Sequence, residues 1–392
     1  MELRAAVKNQ ESVGPFRPGS TIGMVGGGQL GRMFAVAASR MGYEVVVFCE
    51  SDEAPAAQVA HRVVVGATDD TRMIESFASQ CDVITLEFEN IPAETIALCA
   101  QHAPTYPDAV VLAAAQDRLL EKGTLRDAGL PVTPFAEVHD AASARQAAET
   151  LGWPMIIKTA RSGYDGKGQF RLDSADDLQR VTIDASQQWI AERLIEFDRE
   201  ISVIIARTAA GDVRTFPLFE NSHHNHILDI TVTPASVSPD VARQAAEAAI
   251  KAADVLGVVG LLCVEMFVTG ESLLINEVAP RPHNSGHLTI EACHTSQFEQ
   301  HVRAVCNLPL GRTDLKCPAA AMANLLGDLW RGAGQSPDWD VALAVEGVSL
   351  HLYGKRIAKP GRKMGHLTAV GDDRPEVVQR VRQARESLAS DQ

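Results

Sequence analysis

The sequence predicts two fold classes in one chain, an α/β region followed by an α+β region. In the N-terminal part, short apolar runs alternate with helix-like stretches, which favours a parallel sheet with helices on both faces. Further along, β-rich runs bounded by turns favour an α+β unit over residues 130–220. The chain has 392 residues, of which 46% are hydrophobic and 22% charged, so we expect two or three globular domains with large cores.

Composition excludes several classes of partner. The net charge is −14 and no long basic run occurs, so we expect no nucleic-acid polymer as a partner. No apolar stretch has the length of a membrane span, and the first residues lack the apolar segment of a secretory signal. The 7 cysteines are scattered without a C-x-x-C pair, as expected of reduced thiols in the cytoplasm.

The N-terminal elements follow in the order strand, glycine turn, helix, strand. Apolar runs at residues 22–25, 44–48, 63–65 and 83–86 are the expected strands. A helix should follow the glycine turn and extend to Met41. The α/β region is expected to close between Pro104 and Asp108.

Capping signals mark two later helices. One covers residues 117–128 and is closed by Gly129 and Pro131. The other begins with Ser238 as N-cap and Pro239 in its first turn. Its apolar stripe consists of Val241, Ala245, Ala248, Ala252 and Val255. Between the two helices, the expected strands lie at 155–158, 188–192, 200–205 and 226–232.

The turn Gly26-Gly-Gly-Gln-Leu-Gly31 matches G-x-G-x-x-G in a strand–turn–helix context. Glu50 ends the next strand about twenty residues on, where an acid would bind a ribose. Alone, this pattern indicates a nicotinamide-dependent oxidoreductase. Its physics is only a tight turn that directs backbone amides and a helix N-terminus towards an anion, so any phosphate would satisfy it. A turn retained only for strand–helix packing is the other interpretation.

A second glycine-rich segment covers residues 162–169. It follows Lys158, lacks the P-loop pattern and opens no helix, so we expect a hairpin flap. Lys158 and Lys167 would neutralise a polyphosphate, while Gly163, Gly166 and Gly168 would let backbone amides approach it. The alternative is a surface hairpin without a ligand.

Two carboxylates are expected to face each other near the end of the sheet. Glu265 and Glu277 lie on two apolar strands, and a three-residue hairpin loop at 270–272 would pair Thr269 with Leu273. That register places Glu265 opposite Glu277, at a Cβ separation of roughly 4.5–5.5 Å. Carboxylates this close repel unless a cation lies between them, and Mg²⁺ binds such groups together with phosphate oxygens.

The run of residues 277–287 places an acid directly before a series of anion donors. Arg281, His283, Asn284 and Ser285 follow Glu277 in a path that contains two prolines and a glycine. An acid for a metal and donors for an anion are what phosphoryl transfer requires. A polar surface turn is the alternative.

Two further clusters are ambiguous on sequence alone. Lys355, Arg356, Arg362 and Lys363 form a basic cluster that either anchors a phosphorylated substrate or is a solvated loop. Residues 221–226 are rich in histidine, but the spacing suits no single helix face and no cysteine is near. A polar cleft rim or a surface loop explains them better than zinc.

Taken together, these motifs resemble the ATP-grasp superfamily and, within it, the N5-carboxyaminoimidazole ribonucleotide synthetase family. The resemblance runs from Thr21 to His366, and its markers are residues 26–31, 163–169, 279–287, 355 and 362–366. It implies an ATP-grasp fold with an N-terminal Rossmann-like domain, a small lid and a C-terminal mixed α/β domain. We accordingly divide the chain into a leader (1–19), the first domain (20–117), connector and lid (118–220), and C-terminal domain with a substrate-binding tail (221–392).

The resemblance also implies a reaction. Members of the family use ATP and bicarbonate to carboxylate 5-aminoimidazole ribonucleotide, through carboxyphosphate, in de novo purine biosynthesis. The implied cofactors are ATP and Mg²⁺, with Mn²⁺ as an alternative ion and bicarbonate as co-substrate. A homodimer is implied, as is a separate mutase that receives the product.

Residue roles carry over by matching the family's motifs. The ATP-binding residues would be Arg118, Lys158, Gly163, Tyr164, Asp165, Gly166, Lys167, Gly168, Gln169, Glu192, Arg193, Leu194, Ile195, Glu200, His223, Asn276 and Glu277. The substrate-binding residues would be Gly28, Gln29, Leu30, Glu87, Tyr164, Asp165, Asn284, Ser285, Lys355, Arg362 and Lys363. Glu265 and Glu277 would bind the metal. Arg281 and His283 would face bicarbonate, and Asp165 is a candidate acceptor of the amine proton.

Three other functions remain open at this point. A formate-using glycinamide ribonucleotide transformylase shares the Pro-Arg-Pro-His run, but is expected to read Asp-Thr in place of Asn284-Ser285 and to lack the Tyr164-Asp165 pair. An NAD-dependent oxidoreductase would be built on residues 26–31. A non-catalytic nucleotide-binding regulator would not need Arg281 and His283 beside a metal site.

Overall fold

The computed structural model describes residues 14–161, 168–330 and 335–389. Its N-terminal region contains a parallel sheet of five strands in the order β3-β2-β1-β4-β5. The strands are β1 Thr21–Val25, β2 Glu44–Cys49, β3 Arg62–Val65, β4 Val83–Leu86 and β5 Thr105–Tyr106. The helices between and after them are α1 Gln29–Arg40, α2 Thr71–Ala78, α3 Ala93–Cys99 and α4 Ala109–Ala115. The alternation of strand and helix predicted a parallel sheet correctly.

Strand periodicity explains why this sheet is covered on both faces. Along β2, Val45 and Val47 pack into one apolar cluster, and Val46 and Phe48 pack into another on the opposite face. Successive side chains of a strand point to opposite faces, so a continuous apolar run requires two buried faces.

A connector helix and a small antiparallel sheet follow. Helix α5, Arg118–Asp127, begins at Asp117, whose carboxylate accepts hydrogen bonds from two backbone amides of the first turn. The small sheet has the order β6-β9-β7-β8. Its strands are β6 Phe135–Val138, β7 Met155–Thr159, β8 Gln169–Leu172 and β9 Trp189–Arg193, and α6 Ala141–Leu151 packs against it.

The largest sheet has nine strands in the order β15-β14-β10-β12-β13-β16-β18-β17, with β11 paired to β10. The strands are β10 Arg199–Arg207, β11 Val213–Thr215, β12 Phe219–His224, β13 Ile227–Thr233, β14 Gly260–Thr269, β15 Ser272–Ala279, β16 Ala319–Leu326, β17 Val348–Leu352 and β18 Lys363–Gly371. The α+β unit expected over residues 130–220 is therefore wrong in its extent. Its strands from Arg199 onward belong to the large sheet, because β10 pairs with β14 along its full length.

Helices flank this sheet. They are α7 Pro239–Leu256, α8 Thr289–Ala292, α9 Gln297–Val305, α10 Trp339–Leu343 and α11 Arg374–Ser387. Ser238 caps α7 and Pro239 lies in its first turn, as the sequence predicted. The predicted apolar stripe is buried except at Val255, where Leu256 is the buried residue instead. Among the described residues, no helix is both long and apolar enough to cross a membrane.

The hairpin that carries the two acids differs from the prediction. The loop contains two residues, because Thr269 pairs with Ser272 rather than with Leu273. Gly270 occupies the left-handed region at φ 58°, which favours this short turn. A β-bulge at Asn276 then shifts the register by one residue, so Glu265 still faces Glu277. The predicted pairing is right, but the predicted route to it was wrong.

Candidate active site

Glu265 and Glu277 are opposite residues on β14 and β15. Glu265 is buried, whereas Glu277 is solvent-exposed. Although its side chain is accessible, desolvation by the surrounding protein, followed by the charge of Glu265, raises the pKa of the Glu277 carboxyl. A side chain that is both accessible and closely surrounded projects into a cleft. Two carboxylates that repel there fit a hard cation such as Mg²⁺.

His283 extends this pair on the side of Glu265. Its Nε2 lies 2.8 Å from Glu265 Oε1, and its Nδ1 accepts from the backbone amide of Ser285 at 3.3 Å. Because Nδ1 is an acceptor, the proton resides on Nε2 and is donated to the carboxylate. Burial alone would raise the pKa of Glu265, but the His283 side chain outweighs it and lowers the pKa to about 2. Glu265 is therefore ionised.

A buried polar network holds the His283 ring in place. Ser285 Oγ lies 2.9 Å from His283 Nδ1 and 2.8 Å from Ser202 Oγ, and Asn221 donates to Ser202 at 3.0 Å. Gln297 fixes the backbone, because it accepts from the His283 amide at 2.9 Å and donates to the His283 carbonyl at 2.7 Å. Buried polar groups that satisfy one another in this way fix a single geometry.

Arg281 makes a two-pronged ion pair with Glu89, which follows β4 in the N-terminal region. The guanidinium Nε contacts one carboxylate oxygen, and Nη2 lies 2.9 Å from the other. Burial alone would raise the pKa of Glu89, but Arg281 outweighs it and lowers the pKa to about 2. A planar guanidinium held at one edge has a fixed orientation.

The glycine turn after β1 encloses a carboxylate of the protein itself. Glu87 accepts hydrogen bonds from the backbone amides of Gly28 and Gly31, the latter at 2.8 Å. A Cβ atom at Gly26 would lie 2.5 Å from Glu87 Cγ, and one at Gly28 would lie 2.6 Å from Glu87 Oε1. The glycines therefore admit Glu87, which occupies the N-terminus of α1 where a dinucleotide pyrophosphate would bind.

On the opposite side of the cleft, Glu192 lies between two ammonium groups. Lys158 Nζ is 3.1 Å from one carboxylate oxygen and Lys122 Nζ is 3.4 Å from the other. Burial alone would raise the pKa of Glu192, but these two lysines outweigh it and lower the pKa. Arg118 donates to the Thr159 carbonyl at 3.1 Å, which places a second cation beside the end of β7.

The other residues predicted to bind the nucleotide do not all lie at the same place in the structure. Glu200 Oε2 lies 2.9 Å from His223 Nδ1. Burial alone would lower the pKa of His223, but Glu200 outweighs it and raises the pKa. Arg193 instead donates to the Leu151 carbonyl at 2.7 Å, outside the cleft. Leu194 uses its amide for a bond to the Pro154 carbonyl. Gln169 lies 3.5 Å from His226 Nδ1.

The basic cluster lies partly buried beside the N-terminal region. Lys355 Nζ donates to the Lys363 carbonyl at 2.6 Å. Burial, followed by the charge of Arg362, lowers the pKa of Lys355 to about 8, while Glu87 opposes the shift. Because Glu87 interacts with Lys355, the glycine turn and the basic cluster border the same space.

Five of the predicted site residues lie outside the part of the chain that the structure describes: Gly163, Tyr164, Asp165, Gly166 and Lys167. Asn284 is described, but its side chain has no partner among the described residues. Within the described chain, the buried Asn284 amide oxygen and nitrogen have no hydrogen-bond partner. An orphaned buried amide is the signature of a group that awaits a ligand or a water.

The histidine-rich segment does not form a zinc site in the described part of the chain. His223 pairs with Glu200, whereas His224 and His226 are exposed and join no group of metal-ligand side chains there. A group of three that is close enough to share an ion is instead Cys263, Glu265 and His283, whose ligand atoms lie within 4.8 Å of one another. Burial raises the pKa of Cys263 well above its usual range, so this thiol is neutral.

Sequence reasoning missed Glu89, Glu121 and Lys122. Glu89 carried a signal, since acids after parallel strands lie where such sheets bind ligands. Glu121 and Lys122 carried a weaker signal. They are buried in α5 while Leu120 in the same turn is 39% exposed, which reverses the usual pattern.

Comparison with known proteins agrees with this geometry. Family profiles match a ribonucleotide synthetase preATP-grasp domain at residues 20–116, an ATP-grasp domain at 123–298, and a phosphoribosylaminoimidazole carboxylase C-terminal domain at 320–380. The fold and the paired acids of the cleft thus define an ATP-grasp ligase.

Relatives narrow the assignment. The chain is 42% identical to N5-carboxyaminoimidazole ribonucleotide synthase from Bacillus subtilis, over 93% of this chain and 95% of that protein. It superposes with a TM-score of 0.89 and 39% identity on an ADP complex of such a synthetase, covering 97% and 100% of the two chains. An Aspergillus clavatus synthase in complex with ADP and 5-aminoimidazole ribonucleotide gives 0.86 and 30%, covering 95% and 99%. This chain belongs to the N5-carboxyaminoimidazole ribonucleotide synthase family.

Proposed function

We propose that this chain carboxylates 5-aminoimidazole ribonucleotide on its exocyclic amine, using ATP and bicarbonate, in purine biosynthesis. The observation that carries the proposal is the pairing of Glu265 with Glu277, followed along the same segment by Arg281, His283 and the unpartnered Asn284. The family relationship makes the chain an ATP-dependent ligase of this pathway. The roles of individual residues are carried over from the family resemblance, and the contacts of the described side chains support them.

The nucleotide is proposed to lie between the small sheet and the nine-stranded sheet. Lys158 and Arg118 would bind the phosphates together with the backbone amide of Gly168, and the family resemblance assigns the residues before Gly168 to the same role. The end of β9, from Glu192 to Ile195, offers backbone groups for the adenine, and the acid Glu200 lies next to His223 for the ribose. In this arrangement Arg193 contributes backbone only, because its side chain bonds elsewhere.

Glu265 and Glu277 would hold Mg²⁺, with Mn²⁺ as an alternative ion, and Asn276 lies beside them at the bulge. When bound, the ion would neutralise the charge on the phosphate oxygens during transfer. His283 keeps Glu265 ionised and oriented, because it donates its Nε2 proton to that carboxylate.

Bicarbonate is proposed to bind at Arg281, whose guanidinium Glu89 holds in a fixed orientation. A bicarbonate oxygen attacks the γ-phosphorus of ATP and ADP leaves, which forms carboxyphosphate. Preorganised donors stabilise the charge that develops in such a transfer. Carboxyphosphate then releases CO₂ and phosphate, and the substrate amine attacks CO₂ to give a carbamate. The amine proton passes to phosphate or to Asp165.

The ribonucleotide is proposed to bind with its phosphate at Lys355, Arg362 and Lys363. Its ring would then reach the unpartnered Asn284 amide and Ser285. The glycine turn contributes Gln29 and Leu30, with Glu87 as the acid behind them, while the amide of Gly28 already donates to Glu87. The family resemblance assigns Tyr164 and Asp165, which lie outside the described residues, to substrate binding as well.

The wider context of the enzyme is part of the same proposal. We infer a homodimer and a separate mutase that consumes the product, both from the family resemblance. The described cysteines, which are all free, support a cytoplasmic location.

The test is phosphate and ADP release in the presence of ATP, Mg²⁺, bicarbonate and 5-aminoimidazole ribonucleotide. We expect ADP formation that requires the ribonucleotide, together with isotope transfer from labelled bicarbonate into an acid-labile product. Formation of ADP with formate and glycinamide ribonucleotide instead would overturn the assignment. Turnover of a nicotinamide cofactor, or ATP binding without turnover, would also contradict it.

A further inference from the structure

Glu121 and Lys122, two consecutive residues of α5, are buried ionisable side chains that the proposed reaction does not use. They are 3% and 1% exposed. Burial of a charged group destabilises a protein unless the group is paired and hydrogen-bonded. Their partners therefore indicate why this helix carries them.

Lys122 donates two hydrogen bonds from its ammonium group and forms one ion pair with it. Its Nζ lies 2.5 Å from Thr133 Oγ1, 2.6 Å from the Asn276 carbonyl and 3.4 Å from Glu192 Oε1. Asn276 is the bulge residue of β15, directly before Glu277.

Glu121 forms a hydrogen bond with the backbone on the other side of Glu277. Its Oε1 accepts a hydrogen bond from the Val278 amide at 3.2 Å. Neighbouring residues of one helix thus bond the carbonyl before Glu277 and the amide after it.

The position of β15 explains why such contacts are needed. It is an edge strand of the nine-stranded sheet, so no further strand of that sheet lies on its outer side within the described residues. The segment at 131–133 covers the first part of this edge, since Ile275 donates to the Pro131 carbonyl at 2.7 Å and accepts from the Thr133 amide at 3.0 Å. Beyond Ile275, side chains of α5 provide the bonds.

We propose that Glu121 and Lys122 are positioning residues that clamp the bulge of β15 and thereby aim the Glu277 carboxylate. A bulge redirects a side chain but weakens the ladder that would hold it. The hydrogen bonds of Glu121 and Lys122 hold the bulge in place from the outer edge of β15. The proposal rests on the proposed function, because it takes Glu277 as a metal ligand.

Lys122 also couples the two sides of the cleft. One Glu192 oxygen contacts Lys122 and the other contacts Lys158 on the small sheet. The same ammonium therefore joins the bulge to the strand end proposed to bind the nucleotide.

A matched pair of variants at Glu121 tests the clamp. Glu121→Gln keeps an oxygen that accepts the Val278 amide, whereas Glu121→Met has a similar length and removes it. We expect Glu121→Gln to retain kcat within about twofold, and Glu121→Met to lower kcat roughly 10²-fold, as a displacement near 1 Å would. The Mg²⁺ concentration for half-maximal activity should rise in Glu121→Met, while KM for the ribonucleotide stays unchanged.

A second readout needs neither metal nor substrate. Hydrogen–deuterium exchange of the free protein should become at least tenfold faster over residues 273–279 in Glu121→Met and Lys122→Met, and should stay at the wild-type rate in Glu121→Gln. Lys251→Met is the control, because it makes the same substitution at an exposed lysine of α7.

Wild-type exchange and wild-type Mg²⁺ dependence in a folded Glu121→Met protein would overturn the clamp. If Lys122→Met does not fold, the Glu121 pair decides alone, and equal loss in Gln and Met variants would also refute the hydrogen-bond role. Failure of the proposed function has a different result, namely a Glu277→Ala enzyme with normal ATP turnover.

Discussion

The glycine turn at residues 26–31 follows a buried strand, whereas the run at residues 277–287 begins near the end of the edge strand β15. Both segments present groups that bind anions. In the turn, Glu87 already accepts from the amides of Gly28 and Gly31. In the run, Glu277 remains exposed and the Asn284 amide has no partner among the described residues. A motif defines the geometry of an anion site, but a neighbouring carboxylate decides whether that site is open to a ligand.

The largest expected effect comes from a substitution of Glu277, the exposed acid of the run. We expect Glu277→Ala to lower ATP turnover roughly 10³-fold, since it removes a proposed metal ligand whose charge acts on the transferring phosphoryl group. ADP formation with saturating ribonucleotide measures the effect. A variant with near-normal turnover would show that the acid has no metal-binding role.

In the glycine turn, we expect a substitution of Glu87 to lower the stability of the protein. Glu87→Ala leaves the buried amide of Gly31 and the partly buried amide of Gly28 without an acceptor, so we expect the free energy of unfolding to fall by roughly 2 kcal/mol. Chemical denaturation measures this change. Glu50→Ala is the matched control, because Glu50 is the exposed acid that a ribose site would use, and we expect a change within about 0.5 kcal/mol. Equal effects of the two variants would contradict the structural role of Glu87.

Lys355 tests whether the space beside the glycine turn binds the substrate phosphate. Lys355→Ala should raise KM for the ribonucleotide about tenfold, the effect of one charge-assisted hydrogen bond. ATP affinity should stay within about twofold of the wild type. Initial-rate kinetics with each substrate varied in turn distinguish the two. Selective loss of ATP binding would move Lys355 to the nucleotide side.

The smallest expected effect is a pH dependence. Burial, followed by the charge of Arg362, lowers the pKa of Lys355 to about 8, so the group is charged at pH 7 and loses its charge as pH rises through 8. KM for the ribonucleotide should therefore increase a few-fold between about pH 7 and 9. Lys355→Arg should remain flat over this range. A slope that persists in Lys355→Ala would assign the titration to another group.

Local signals predicted much of the fold. The strand–helix alternation and the Ser238–Pro239 cap depend on neighbouring residues, and both are observed. The hairpin loop was predicted one residue too long, because the bulge at Asn276, which brings Glu265 opposite Glu277, has no local signal in the sequence. The division into domains at residues 117 and 220 stays a prediction. In the structure, the chain passes from the small sheet to the nine-stranded sheet between Arg193 and Arg199.

The candidate site also contains residues that could be predicted from the sequence and others that could not. Glu265, Glu277, Arg281 and His283 could be singled out because acids and anion donors are concentrated in two adjacent strands and one loop. Their partners could not. Glu89 contacts Arg281 across a separation of 192 residues, and no periodicity encodes such a contact.

The sequence alone therefore determined the fold class, the order of the elements and the residues proposed to supply the chemistry, because these follow from local patterning and from recognisable motifs. Only the tertiary structure decided that Glu87 fills the glycine turn, that Arg281 is held by Glu89, and that α5 bonds the backbone on both sides of Glu277. These are contacts between distant segments, and their free energy depends on burial and distance, which exist only once the chain has folded.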